Sequence, residues 1–147
     1  MNAPAPIKTL DDAHRRAIED ANRWRGHCVN LFARGEMIVS EALLARLESK
    51  SLPLVFSQRV GRLAALIEGD QKQSAAVKDF QLQTSDRNVI VHGVGKVYVD
   101  GQGRWMLTLH ALDRSGSTQH HVLQAWAEQR ARDLTSAVQR LSAAFRT

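Results

Sequence analysis

Chemistry-bearing side chains gather in one short segment, Arg87-Asn88-Val89-Ile90-Val91-His92-Gly93. It supplies a cation, an amide and an imidazole around three apolar residues. On a helix, Asn88 and His92 are four apart and share a face. Arg87 and His92 are five apart, about 140° around the axis and about 7.5 Å along it. One helix therefore does not aim both at a single atom well. Val89 and Ile90 would anchor such a helix in a core and leave the polar groups on the other side. A chemically silent arrangement uses the same residues: Arg87 on an acidic neighbour, His92 capping carbonyls, and Gly93 as a C′ glycine. The residues by themselves leave both arrangements open.

Other patterns fall away on spacing. Gly93-Val94-Gly95-Lys96 lacks the four residues a P-loop places between its glycines and the Lys-Ser/Thr that follows, and GxGxxG needs glycine where Tyr98 stands. Gly93 and Gly95 read as turn residues. His120 and His121 are adjacent, so on a strand they point to opposite faces, and no carboxylate or imidazole at helical spacing supports them or His110 as metal ligands. Cys28 sits on the apolar side of a helical pattern, which suits a buried structural thiol better than a nucleophile. No GxSxG, HExxH or EF-hand loop is present. No metal or cofactor is expected.

The whole chain sets the frame for that segment. A length of 147 residues suits one domain with a real core, and 44% apolar residues argue against a disordered chain. Aromatic residues are only 5%, so Leu, Val, Ala and Ile must fill most of the core. The single cysteine rules out an internal disulfide and the paired-Cys zinc patterns. The start, MNAPAPIKTLDD, lacks the apolar run of a secretion signal, and no stretch approaches transmembrane length, so a cytoplasmic protein is expected. Of the net charge of +5, residues 71–147 carry +4, with ten basic against six acidic side chains. Arginine outnumbers lysine fifteen to five, which favours bidentate phosphate contacts and a nucleic-acid partner. Charge alone suits a solvated, arginine-rich helical surface better.

Periodicity supplies the elements. Residues 1–9, with Pro4 and Pro6, read as a flexible N-terminal tail, and 10–147 as a single helical domain. From Asp11 to Ser49, Trp24, Cys28, Leu31, Ile38, Ala42 and Ala45 recur at helical steps, widened by Phe32, Leu43 and Leu47. Gly26 and Gly35 are weak points, so one bent helix or two are both open. After Pro53, the residues Phe56, Val60, Leu63, Ala64 and Ile67 predict a short amphipathic helix closed by Gly69. A third helix is predicted from about Lys72 to Gly93, with Ala76 and Phe80 inward, and a break near Thr84–Asp86 is left open. The pattern then alternates: Val97–Val99 and Trp105–Leu109 flank Asp100-Gly101-Gln102-Gly103, a hairpin at about 96–110. A third short strand at about 118–122 is expected next. A last helix over Gln124–Phe145 presents Ala127, Ala131, Leu134, Val138, Leu141 and Phe145 on one face.

Arg-Asn, three residues, then His-Gly resembles the R-x4-6-H signature of HEPN domains in its RNxxxHG form, as in a small stand-alone member. The resemblance spans residues 10–147 loosely, and only the seven-residue motif is specific. It implies a mainly α fold, a HEPN-like bundle of four to five helices with an inserted β-hairpin or small sheet before the last helix. It also overrides the strand propensity of Val89–Val91. Implied function is a metal-independent endoribonuclease, a toxin or defence component, with RNA as substrate and an antitoxin protein as candidate partner. Arg87 would neutralise the scissile phosphate, His92 would move protons at the ribose 2′-hydroxyl or the leaving oxygen, and Asn88 would orient one of them. Products would be a 2′,3′-cyclic phosphate and a 5′-hydroxyl. Family members often form homodimers with facing motif helices, which resolves the awkward five-residue offset. Others are non-catalytic dimerisation and nucleic-acid- or partner-binding modules, the alternative for this chain. A third option is a plain structural protein in which the motif only closes a helix.

Overall fold

The structure is a computed structural model that describes residues 10–146; the expected tail at 1–9 lies outside the described residues. The chain is mainly helical; among the described residues it has five helices and a small three-stranded antiparallel sheet before the last helix, as the switch in periodicity predicts. In chain order these are α1 (Leu10–Arg46), α2 (Phe56–Leu66), α3 (Gln71–Gln83), α4 (Arg87–His92), β1 (Val94–Val99), β2 (Trp105–Asp113), β3 (Gly116–Leu123) and α5 (Gln124–Ala144). Contacts divide the chain into two compact units. Of the described residues, one holds 10–28 and 88–131, the other 29–87 and 132–146.

In the first unit the strands run in the order β1-β2-β3, with Val97 opposite Leu107 and Leu107 opposite Val122. Alternation puts Trp105, Leu107, Leu109 and Val122 on one face, all buried, together with Ala17, Ala21, Trp24, Cys28, Ile90 and Ala127. Trp24 is central. Its ring centroid lies 6.1 Å from that of Trp105 and 6.5 Å from that of Trp126, and its indole N–H donates to the Ala127 carbonyl at 2.7 Å. Three tryptophans thus cluster in an aromatic-poor chain, with the buried Trp24 indole dipole satisfied. Asp100 holds the β1–β2 turn: Oδ1 accepts from the amides of Gln102 (2.8 Å) and Arg104 (2.9 Å). Gly103 takes the left-handed φ of 78° that this turn requires.

The second unit is helical. Leu31, Phe32, Val39 and Leu43 are buried on one side of α1, with Leu47 just after it and Val60, Leu63, Val77, Phe80, Leu134, Val138 and Leu141. The stripe differs in detail from the one predicted. Val39 is buried where Ile38 was expected, Ala137 joins the core, and Ala45 and Ala64 are exposed. Gly35 does not break α1; it lets the Phe80 ring approach, since a Cβ there would fall 2.2 Å from ring carbons. Asp70 caps α3 through the Gln73 amide at 3.0 Å.

The break left open near Thr84–Asp86 is present: α3 stops at Gln83 and the chain restarts as α4. Thr84, Ser85 and Asp86 form the turn between them, and Thr84 Oγ1 donates to the Gln81 carbonyl at 2.7 Å. Short polar side chains that bond to nearby backbone compete with the helix ladder, which accounts for the break.

Candidate active site

α4 comprises six residues, Arg87–His92, so the motif is helical, as the resemblance implies. The division between the compact units falls inside it: Arg87 belongs to the helical unit and Asn88 and His92 to the sheet-bearing one. Ile90 is the buried anchor, 2% exposed, while Asn88 and His92 are solvent-facing. Among the described residues His92 has no hydrogen-bond or ion-pair partner, and it does not cap carbonyls as the silent arrangement would have it.

The carbonyls at this helix end are served by Arg25, which sequence reasoning missed. Its Nε donates to the Ile90 carbonyl at 2.9 Å and a terminal nitrogen to the Gly93 carbonyl at 2.8 Å. One guanidinium therefore satisfies two acceptors on either side of His92, at the pole where the helix dipole favours a cation. Burial pulls the Arg25 pKa below the usual arginine value. It remains a cation throughout the physiological range. In sequence Arg25 is one arginine among fifteen, with nothing to mark it.

Gly93 follows the last residue of α4, at the C′ position expected, but without a left-handed φ: among the described residues the glycines with positive φ are Gly103 and Gly116. Its smallness is needed for another reason. A Cβ would stand 2.4 Å from the Val89 carbonyl oxygen and 3.2 Å from Leu109 Cβ, where the chain turns directly from α4 into β1. Gly95 is a strand residue rather than a turn residue, and a Cβ there would lie 3.2 Å from the Arg25 guanidinium.

Arg87 pairs with Glu36 of α1, both side chains less than a third exposed. This is the acidic neighbour of the silent arrangement. Glu36 too was not legible in sequence, since nothing in α1 singles it out from the other carboxylates. In the sheet-bearing unit an exposed imidazole thus stands on a pinned helix end, and in the helical unit Arg87 is already balanced by a carboxylate.

The remaining histidines are spread over the sheet. His121 Nδ1 is 3.2 Å from Thr108 Oγ1, and His120 lies opposite Leu109 in the register. Among the described residues no three His, Cys, Asp or Glu side chains gather into a group fit to hold a metal ion. Cys28 is fully buried, as its place on the apolar stripe predicts. No helix among the described residues is long and apolar enough to cross a membrane. No family model, curated protein or solved structure matches the chain.

Proposed function

We propose that this protein is a metal-independent endoribonuclease of the HEPN type, acting in a toxin or defence role through Arg87, Asn88 and His92. The observation that carries the proposal is His92: a motif imidazole in solvent, without a structural partner among the described residues, on a helix end fixed by Arg25. That exposure leaves the imidazole accessible to a substrate. Histidine exchanges protons near neutrality, which suits deprotonation of a ribose 2′-hydroxyl and protonation of the departing 5′-oxygen. The hydroxyl oxygen attacks its adjacent phosphorus, the bond to the 5′-oxygen breaks, and a 2′,3′-cyclic phosphate and a 5′-hydroxyl result. Arg87 stabilises the charge building on the phosphoryl oxygens, and Asn88 orients the phosphate or the imidazole. Two copies of the chain related by a two-fold axis complete the site, supplying arginine from one and histidine from the other.

The test is a mixed RNA pool incubated with purified protein in EDTA. Cleavage of RNA, with DNA of the same sequence intact for want of a 2′-hydroxyl, is the expected result. An RNA pool left whole in EDTA, and also with added magnesium or manganese, overturns the enzyme.

The Arg87–Glu36 pair favours a second function, a non-catalytic module that dimerises and binds nucleic acid or a partner protein such as an antitoxin. An arginine neutralised within its own chain is less available to a phosphate. This module predicts no cleavage, with salt-sensitive nucleic-acid binding that Arg87→Ala weakens and His92→Ala leaves unchanged.

A further inference from the structure

The sheet has a second face. Alternation from the buried Trp105, Leu107 and Leu109 puts Met106, Thr108 and His110 of β2 on the opposite side. The register extends this face into cross-strand rows: Tyr98–Met106–Leu123, Lys96–Thr108–His121 and Val94–His110–Gln119. Rows two residues apart along a strand are separated by about 6.6 Å. Tyr98 is 44% exposed, Leu123 58% and Val94 73%, and Lys96, His110, Gln119 and His121 are exposed as well. Thr108 is enclosed in the middle row, where it holds His121 through Nδ1 at 3.2 Å and leaves the other ring nitrogen outward. Lys96 Nζ lies 5.5 Å from the centroid of the Tyr98 ring.

We infer that this outer face binds single-stranded RNA, with a base stacked on Tyr98 beside the Met106 side chain and phosphates held by Lys96 and His121. Charge selects the occupant. The three rows carry an ammonium and two imidazoles and no carboxylate. The nearest carboxylate in the turn, Asp100, is bonded to Arg104 at 3.2 Å. A second copy of this face is a poor occupant, because two-fold pairing would bring two copies of Lys96 together with no carboxylate in the rows to neutralise them. An unstacked base fits better: it needs an exposed aromatic ring with an apolar flank, and its phosphate needs a cation within a few ångströms. Duplex RNA hides its base faces and cannot use the ring. The choice of RNA over DNA rests on the ribonuclease proposed above; the surface itself rests on the sheet.

The test is fluorescence anisotropy of the full chain with a fluorescein-labelled 2′-O-methyl adenosine dodecamer, which lacks the nucleophile needed for cleavage. Tyr98→Ala is expected to weaken binding roughly 10-fold, about the size of one base–aromatic stack, while Tyr98→Phe stays within about two-fold of wild type. Lys96→Ala is expected to lower the slope of log affinity against log salt by about 0.7, one phosphate contact on a single strand. That slope is an independent readout should Tyr98→Ala prove poorly folded. Wild-type affinity in Tyr98→Ala with an unchanged slope in Lys96→Ala overturns the inference. So does equal competition by a duplex of the same length, or a Tyr98-dependent dimer formed without RNA. Tyr98-dependent binding by a protein that cuts no RNA removes the ribonuclease and upholds this surface. Cleavage with binding indifferent to Tyr98 and Lys96 does the reverse.

Discussion

His92 and Arg87 differ in what their removal costs the fold, and that difference separates chemistry from stability. His92 is exposed without a partner among the described residues, so His92→Ala should leave thermal stability within about 0.5 kcal/mol of wild type. Its RNA cleavage should fall about 10²–10⁴-fold, the usual worth of a proton-transfer group. Arg87→Ala should lose about 10²–10³-fold, but it also strands the half-buried Glu36 carboxylate. A stability loss of about 1–3 kcal/mol is expected, between the exposed and buried limits for ion pairs. Adding Glu36→Gln to Arg87→Ala should recover much of that stability in urea melts and none of the activity. Recovery of activity would show that Arg87 only neutralises Glu36. Asp100 gives a pH prediction. The Arg104 and Gln102 amides hold its carboxyl below the ordinary carboxylate pKa. Because the folded value is the lower one, the turn's contribution is complete above the unfolded value near about 4 and is lost as pH falls through the folded value. Amide shifts of Gln102 and Arg104 should therefore hold steady from neutrality to about pH 4 and move only below it. Movement between pH 5 and 7 would contradict the arrangement.

At the level of elements, α4 is too short to hold itself together and depends on what caps it. Arg25→Leu keeps some of the stem's volume but leaves the Ile90 and Gly93 carbonyls without their donor. A loss of about 2 kcal/mol is expected, with faster hydrogen exchange at the Gly93 amide, which bonds to the Val89 carbonyl at 2.8 Å. Unchanged exchange there would show that β1 alone holds the helix end. The two glycines that looked like weak points in α1 should behave oppositely. A Cβ at Gly26 meets nothing within 4 Å, so Gly26→Ala should gain about 0.5–1 kcal/mol from helix propensity. At Gly35 the same gain is opposed by overlap with the fully buried Phe80 ring, a clash costing about 1–3 kcal/mol. The clash wins, and Gly35→Ala should lower the melting temperature. Periodicity could show that α1 is helical, since Trp24, Cys28, Leu31 and Phe32 repeat on one side. It could not show which glycine faces a ring contributed from forty-five residues away.

For the whole molecule, the five-residue offset between Arg87 and His92 predicts assembly. If the enzyme proposal holds, two copies share the site, and light scattering at tens of micromolar (a range suited to weak interfaces) should report twice the 16.4 kDa chain mass. A monomer at that concentration that still cleaves RNA would mean one chain suffices. Charge works at this scale too. A net charge of +5 with a pI near 10 draws polyanions from a distance, yet it does not say where they dock. Local geometry sets the surface inferred above, where alternation and strand register together gather Lys96, Tyr98 and His121.

The order of elements was determined by the sequence itself: helical stripes, a Pro53 break, a hairpin announced by Asp100–Gly103, and a last helix. Burial period and turn chemistry are local, so they can be read along the chain. The motif was equally legible at Arg87–Gly93, as was the burial of Cys28. Tertiary structure alone decided the partners. That Glu36 meets Arg87 and that Arg25 reaches the carbonyls of Ile90 and Gly93 are contacts made across fifty-one, sixty-five and sixty-eight residues. It also decided that α3 stops at Gln83, because Thr84–Asp86 weigh local side-chain bonds against helix continuation and the balance is set by packing on both sides. A charged side chain looks the same in sequence whether it ends in solvent or on a buried carbonyl. The difference is a desolvation energy, and that exists only once the chain has folded around it.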